Sequence, residues 1–248
     1  MKSFGLTDKG AVRKENQDSF LIEKCDAGDC TVVSLCDGMG GANAGGLASR
    51  IANEAFVTCL LEGLGSDGRK ESDIRHILVE ACRKANTAVY EHSLTDEAYS
   101  GMGTTLVGGV IKNSGKGYII NVGDSRAYLI SRKDGTLTQI TKDHSLVQLL
   151  VDIGRITPEQ AKTHPRKNII TRALGTDTAV EADLFETELA PDGILMLCSD
   201  GLSNTLEEEE FAEAARESGE PESFCRLLLD RALAEGAGDN VTVVAVTR

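Results

Sequence analysis

Two apolar runs in this chain end in the same dipeptide. Val32–Cys36 is followed by Asp37-Gly38, and Ile194–Ser199 by Asp200-Gly201. Asp-Gly ordinarily marks a turn. Three further pairs, at Asp67, Asp134 and Asp192, sit among polar residues and read that way. Asp37 and Asp200 differ, because a carboxylate at the mouth of a core strand is partly desolvated and costs free energy unless something compensates it. Three more acids share the pattern of small or polar residues, then Asp, then a strand. Asp18 lies in RKENQDS at a strand start, Asp124 in NVGDSRAYL at an expected hairpin tip, and Asp239 in GAGDNVTVV before the last strand. Together the five point to one convergent acidic cluster. Carboxylates held close together repel, and several would stay protonated unless a cation intervened. Oxygen ligands without clustered His or Cys select a hard ion, Mg²⁺ or Mn²⁺. The four histidines are dispersed, and the spacing excludes an EF-hand loop.

The stretch from Gly38 to Gly46 holds five glycines in nine residues. Such a run either turns tightly or lets something cationic or phosphorylated approach the backbone without a Cβ in the way.

These residues need elements to position them. SFGLT, SFLIEK and TVVSLC are short strand-like runs bounded by Gly, Asp and Lys. Leu47, Ile51, Ala55 and Cys59 then recur at helical spacing. A second helical stripe runs from Ile74 to Val89, with Ser72 or Asp73 as its cap. TTLVGGVI, KGYIINV, RAYLIS and LTQI return to strands, with connections (NSG, GDS, KDG) of hairpin composition. Residues 143–178 lack strong periodicity, apart from short helical candidates at Leu146–Val151 and Pro158–Lys162. A segment that irregular inside a compact domain tends to be functional. VEADLFETEL and GILMLCS are strands, Glu207–Glu217 and Pro221–Glu235 are acidic helices, and VTVVAVT closes the chain. Hairpin connections imply mainly antiparallel sheets, and helices must cover a sheet face. The expected architecture is α+β: a four-layer αββα sandwich, two sheets packed face to face with helices outside. With no Pro-rich linker, residues 1–248 read as one domain.

The chain has 248 residues and a formal net charge of −13. That balance disfavours nucleic acid and anionic membrane as partners, since both require a basic surface. The seven cysteines are odd in number and contain no C-x-x-C pair. Buried free thiols in a reducing compartment are expected, with Cys25 and Cys30 able to pair only under oxidation. No apolar run approaches membrane-spanning length, so the expected location is cytoplasmic.

At this point the chain resembles the metal-dependent Ser/Thr protein phosphatases, the PPM or type 2C family, in its bacterial form. The stretches that carry the resemblance are GAVRKENQDS, LCDGMGG, GTTLV, NVGDSRAYL, DHSLV, HPRKNIITRALG, CSDGLSN and GDNVTVV, in family order from the first strand to the last. The resemblance implies the same sandwich, with a flap over about residues 143–175. It implies that Asp37 bridges two metals, Mn²⁺ or Mg²⁺, with the Gly38 carbonyl a further ligand. Asp200 and Asp239 would bind the metals, and Asp18 would help through bound water. Asp124 with Asp200 would hold a weaker third ion, and Arg13 would bind the substrate phosphate. The implied partners are phosphorylated proteins, including a bacterial Ser/Thr kinase and its substrates, with the phosphatase acting as a monomer.

The chemistry agrees with these residue types. Two cations roughly 3.5–4 Å apart can share a water, lower its pKa and present hydroxide to phosphorus. They also neutralise phosphoryl charge, while an arginine offers a planar fork to two phosphate oxygens. Two positions depart from the family pattern. Many members carry His directly after the Asp-Gly, a candidate proton donor to the leaving group. Here Met39 cannot donate, as in other bacterial members. Either a metal-bound water supplies the proton or good leaving groups need none. Gln17 stands where relatives often have Glu, which keeps hydrogen bonding but removes a charge.

Rival chemistries fit less well. Cys225 and Arg231 satisfy C-x₅-R, but an amphipathic helix interior without glycine offers no amide cradle for phosphate. The glycine run lacks the Lys-Ser/Thr that ends a P-loop. A phosphoprotein-binding pseudoenzyme would need broken ligands, and all five aspartates are intact. Cys225→Ser should therefore leave phosphate release from a phosphopeptide nearly unchanged, and a collapse in a folded variant would restore the cysteine mechanism.

Overall fold

The computed structural model describes residues 1–25, 29–41, 44–65 and 71–248, apart from the side chains of residues 71 and 72. The expected turn at Asp67-Gly68 and the capping side chain of Ser72 lie outside the described residues.

Two antiparallel sheets form the centre. One is ordered β1 (Lys2–Asp8), β11 (Val241–Thr247), β10 (Gly193–Cys198), β7 (Arg126–Ser131), β8 (Leu137–Gln139). The other is ordered β2 (Asp18–Lys24), β3 (Cys30–Met39), β5 (Leu106–Lys112), β6 (Lys116–Val122), β9 (Asp183–Glu188), with the two-residue β4 (Gly103–Thr104) on the end of β3. Helices α1 (Ala44–Leu64) and α2 (Glu71–Ser93) cover the second sheet. The short α5 (Asp200–Ser203) and the longer α6 (Glu208–Glu217) and α7 (Pro221–Ala234) cover the first. Helices α3 (Leu146–Asp152) and α4 (Pro158–Lys162) lie in the segment between β8 and β9, where the sequence placed them.

The layering explains why the central strands read as unbroken apolar strings. Alternate residues of a strand face opposite sides. In β3, Val32 and Cys36 pack against α1 and α2, while Val33 and Leu35 meet the other sheet. In β10, Ile194, Met196 and Cys198 face α6 and α7, while Leu195 and Leu197 face inward. Both faces are covered, so both read as apolar, and the polar residues of β3 among them, Thr31 and Ser34, are small.

Four expectations need correction. The first block is not one set of hairpins, because β1 pairs with β11 and β2 with β3 in different sheets. The GDS connection is not a hairpin tip either. It carries the chain from β6 in one sheet to β7 in the other, so Asp124 sits at a crossover. Cys25 and Cys30 are joined by a disulfide rather than free, because the β2–β3 hairpin brings their Cα atoms to 5.4 Å, inside the range a disulfide spans. The other five cysteines are free and buried. Helix α2 also begins ahead of both expected caps, leaving Asp73 inside it.

No described helix is long and apolar enough to cross a membrane. Cys225 is buried in α7, where its thiol donates to the Phe4 carbonyl and burial pushes its pKa up to about 12. It is a core residue. Leu197 is fully buried between the sheets. Leu197→Ala should lower unfolding free energy by about 2–5 kcal/mol, read as a reduced urea midpoint at unchanged slope.

Candidate active site

The acids collect where the inter-sheet core runs out. Strand β3 does not stop at Cys36 but continues through Asp37, Gly38 and Met39. Asp37 extends the inward row of Val33 and Leu35, so its carboxylate enters the gap between the sheets. Asp18 is its register partner on β2. Asp124 lies on the crossover to β7. Asp200 opens α5 directly after β10, and Asp239 precedes β11. Chain ends and crossovers of both sheets therefore meet at one mouth of the sandwich.

A cleft of about 240 Å³ occupies that mouth, and Arg13, Asp37, Gly38, Asp124, Asp200 and Asp239 line it. Asp18 does not form its wall. It sits behind, with Oδ2 accepting from the Thr242 hydroxyl at 2.6 Å. Its Oδ1 is buried without a hydrogen-bond partner. Arg13 projects from the β1–β2 crossover, and its Nη2 donates to Asp239 Oδ2 at 2.7 Å. Asn168 and Ile170, from the 143–175 segment, complete the cleft wall.

A family profile described as Protein phosphatase 2C matches residues 10–235. The chain belongs to the type 2C protein phosphatase family. It is a metal-dependent serine/threonine protein phosphatase. It is 36% identical over 250 residues to the serine/threonine phosphatase stp of Listeria monocytogenes, covering 98% of this chain and 94% of that one. The crystal structure of the phosphatase Stp1 from Staphylococcus aureus superposes with a TM-score of 0.90 at 34% identity, over 99% of this chain and 94% of that one. The catalytic domain of the phosphatase PstP, solved in complex with two manganese ions, gives 0.80 at 34% identity, over 98% and 96%.

Several residues that build the phosphatase cleft carried no assigned role in the sequence reading. Thr105 and Thr104 clamp the Asp37 backbone. The Asp37 N–H donates to Thr105 Oγ1, and its carbonyl accepts from the Thr105 N–H and the Thr104 hydroxyl, each at 2.9 Å. Asn240 fixes the loop that carries Arg13. Its Nδ2 donates to the Lys9 and Glu15 carbonyls at 3.0 and 2.9 Å, and its Oδ1 accepts from the Gln17 N–H at 2.9 Å. The signal was in GTTLV and GDNVTVV, but hydrogen bonds across 60 or more positions have no local pattern.

Two of the glycines have a visible backbone reason. A Cβ on Gly38 would lie 2.0 Å from the Gly45 carbonyl oxygen and 2.7 Å from that of Gln17. Gly38 is therefore required by the start of α1 and the β1–β2 crossover closing on the strand end. Gly40, at φ +148°, takes a conformation that L side chains rarely adopt.

The 143–175 segment is tied at its base to the same crossover. Asp143 takes three hydrogen bonds from the Arg126 guanidinium, at 2.7 to 3.1 Å. His144 Nδ1 accepts from the Gly123 N–H at 3.1 Å, which leaves its proton on Nε2, 3.2 Å from Asp183. Burial lowers the His144 pKa against the opposing hydrogen bond to Asp183, so the ring is neutral.

The cluster's electrostatics fit a divalent ion. Burial, then Asp18, Asp200, Asp124 and Asp239, raise the Asp37 pKa well above the carboxylate range. Burial and the charge of Asp200 push Asp124 up to about 8. Burial raises Asp18 to about 6, opposed by the Thr242 and Ser199 hydroxyls. Burial and Asp239 also raise Asp200. The donors are all oxygen, and the charges of the other four acids raise Asp37, a field that hard cations relieve. Among the described residues, no three of these carboxylates bring one oxygen each within 4.8 Å of one another.

A raised native pKa for an acid favours folding when it is protonated. That stability is present at acid pH and is lost as pH rises through about 6 for Asp18 and about 8 for Asp124. Mn²⁺ should restore it. The gap in thermal midpoint between Mn²⁺-loaded and chelator-treated protein should widen from about pH 5.5 to about pH 8. A gap that is absent or constant with pH would show that these acids are not an ion site.

Proposed function

We propose that Asp37, Asp200 and Asp239 hold two divalent ions, Mn²⁺ or Mg²⁺, with the Gly38 carbonyl as a further ligand. Asp124 with Asp200 takes a weaker third ion, and Asp18 acts from behind through water. The observation that carries this reading is the convergence of six implied residues, from five separate stretches of chain, on one cleft. Arg13 among them is a cation in an otherwise acidic wall. The manganese-containing PstP structure supports the ion type.

When bound, such ions supply a water that ionises near neutral pH and offset charge on the phosphoryl oxygens. The rest falls to the chain's own residues. Asp37, held at three backbone hydrogen bonds, keeps its carboxylate fixed on the cleft floor. Arg13 presents its fork to the phosphate of a phosphoserine or phosphothreonine and gives up part of its pairing with Asp239 to do so. Segment 143–175 acts as the flap beside the substrate, with Asn168 and Ile170 facing it. No imidazole is among the described residues lining the cleft, and Met39 stands at its rim. The leaving oxygen takes its proton from water, or needs none where the leaving group is good. Substrates include a Ser/Thr protein kinase and the proteins it phosphorylates, a reading that rests on family analogy.

Release of phosphate from a phosphothreonine peptide and from an aryl phosphate should require Mn²⁺ or Mg²⁺ and stop with chelator. Asp37→Asn should lower kcat to less than about a hundredth while the circular dichroism spectrum is retained. Substantial metal-dependent turnover in that variant would remove Asp37 from the bridging position.

A further inference from the structure

Two of the seven cysteines stand apart from the rest. Cys36, Cys59, Cys82, Cys198 and Cys225 are buried thiols whose pKa values burial raises. They pack in the core and offer no thiolate. Cys25 and Cys30 close the β2–β3 hairpin, with the Cys25 N–H donating to the Cys30 carbonyl at 3.2 Å. The exposed Asp29 adjoins them. Its carboxylate and the two sulfurs all lie within 4.8 Å of one another, the only such trio of potential ligands among the described residues. The Asp29 backbone is itself held, since its carbonyl accepts from the Asn113 N–H of the neighbouring β5–β6 hairpin at 2.8 Å. The trio is remote from the catalytic cleft. Asp18 opens β2 and Cys25 follows its last residue, about 23 Å away at the usual rise per residue.

We propose that Cys25, Asp29 and Cys30 form a second metal site, for one thiophilic divalent ion such as Zn²⁺, available only when the Cys25–Cys30 pair is reduced. Two sulfurs and a carboxylate match the ligand preferences of zinc and not those of Mg²⁺ or Mn²⁺, so the two sites sort ions by chemistry. The C-x₄-C spacing falls within that of structural zinc sites. A dithiol reductant is oxidised to its own disulfide, the Cys25–Cys30 bond breaks, and each sulfur takes a proton. The ion then displaces both protons to solvent, bonds to two thiolates and the Asp29 carboxylate, and keeps a water in the fourth position. Disulfide and metal exclude each other, because the same two sulfurs serve both.

The test uses Cd²⁺ as a probe, because its bond to thiolate has an ultraviolet charge-transfer absorption that carboxylate ligation lacks. The full chain is titrated in excess Mg²⁺, which occupies oxygen sites. Reduced protein should develop the band and saturate at one equivalent, and Zn²⁺ should abolish it. Oxidised protein should show none, and Cys30→Ser should lose it. Asp29→Asn should weaken binding about tenfold or more, since even partners behind metal ligands carry that much affinity. Retained Mg²⁺-dependent phosphatase activity in each variant shows that it is folded. No band in reduced protein, an equal band in Cys30→Ser, or unchanged affinity in Asp29→Asn overturns the site.

Discussion

Repulsion among carboxylates gathered at one mouth of the sandwich is the constraint around which this molecule is arranged. Asp37 is raised by four other acids, and none of them can move away. Each is fixed at the end of a strand, at the start of a helix or at a crossover, and those positions are set by the packing of two whole sheets. The cost of bringing the acids together is met by three hydrophobic layers: one between the sheets and one under each pair of long helices. A fold of this kind tolerates a concentrated charge because the charge lies at its mouth, where the inter-sheet layer ends, and not inside it.

The local bonding serves the same end. Thr104 and Thr105 hold Asp37 from the β4–β5 side, and Thr105 is itself paired with Ser125 on the crossover that carries Asp124. Asn240 spans from the acid of β11 to the arginine loop, so the cation and its nearest carboxylate are placed by one side chain. Ser199 exchanges hydrogen bonds with Thr242, closing β10 onto β11 beside Asp200. Each of these links joins a backbone segment bearing one acid to a segment bearing another. The cleft is thus a network of short polar ties on a rigid apolar base. That is how a site keeps its geometry while its charges repel.

The segment over the cleft follows a related logic. Its first residues are anchored beside Asp124 and on β9, through Asp143 with Arg126 and through His144 with Gly123 and Asp183, and its last through the backbone pair of Leu174 with Thr104. Its short helices α3 and α4 contain no buried residues. A base so anchored, with little core of its own, places Asn168 and Ile170 at the cleft while leaving the intervening chain weakly packed.

Much of this was legible in the residues. Strands such as VVSLC and VTVVAVT, the α1 and α2 stripes and the grouping of five aspartates all follow from hydrophobic period and from the cost of a desolvated acid. These are properties of neighbours along the chain. Pairing across the chain was not legible. The sequence could not show that GDS crosses between sheets where NSG turns within one, that Gly38 is needed by α1, or that Asn240 holds the arginine loop. It also could not show that Cys25 and Cys30 lie within bonding reach. A hairpin and a crossover have the same polar, glycine-containing local chemistry, and they differ only in which distant strand offers its backbone hydrogen bonds. The amino-acid order therefore determined which chemistry this protein carries. The packing of two sheets decided where that chemistry meets, because only burial against remote segments distinguishes one aspartate from another.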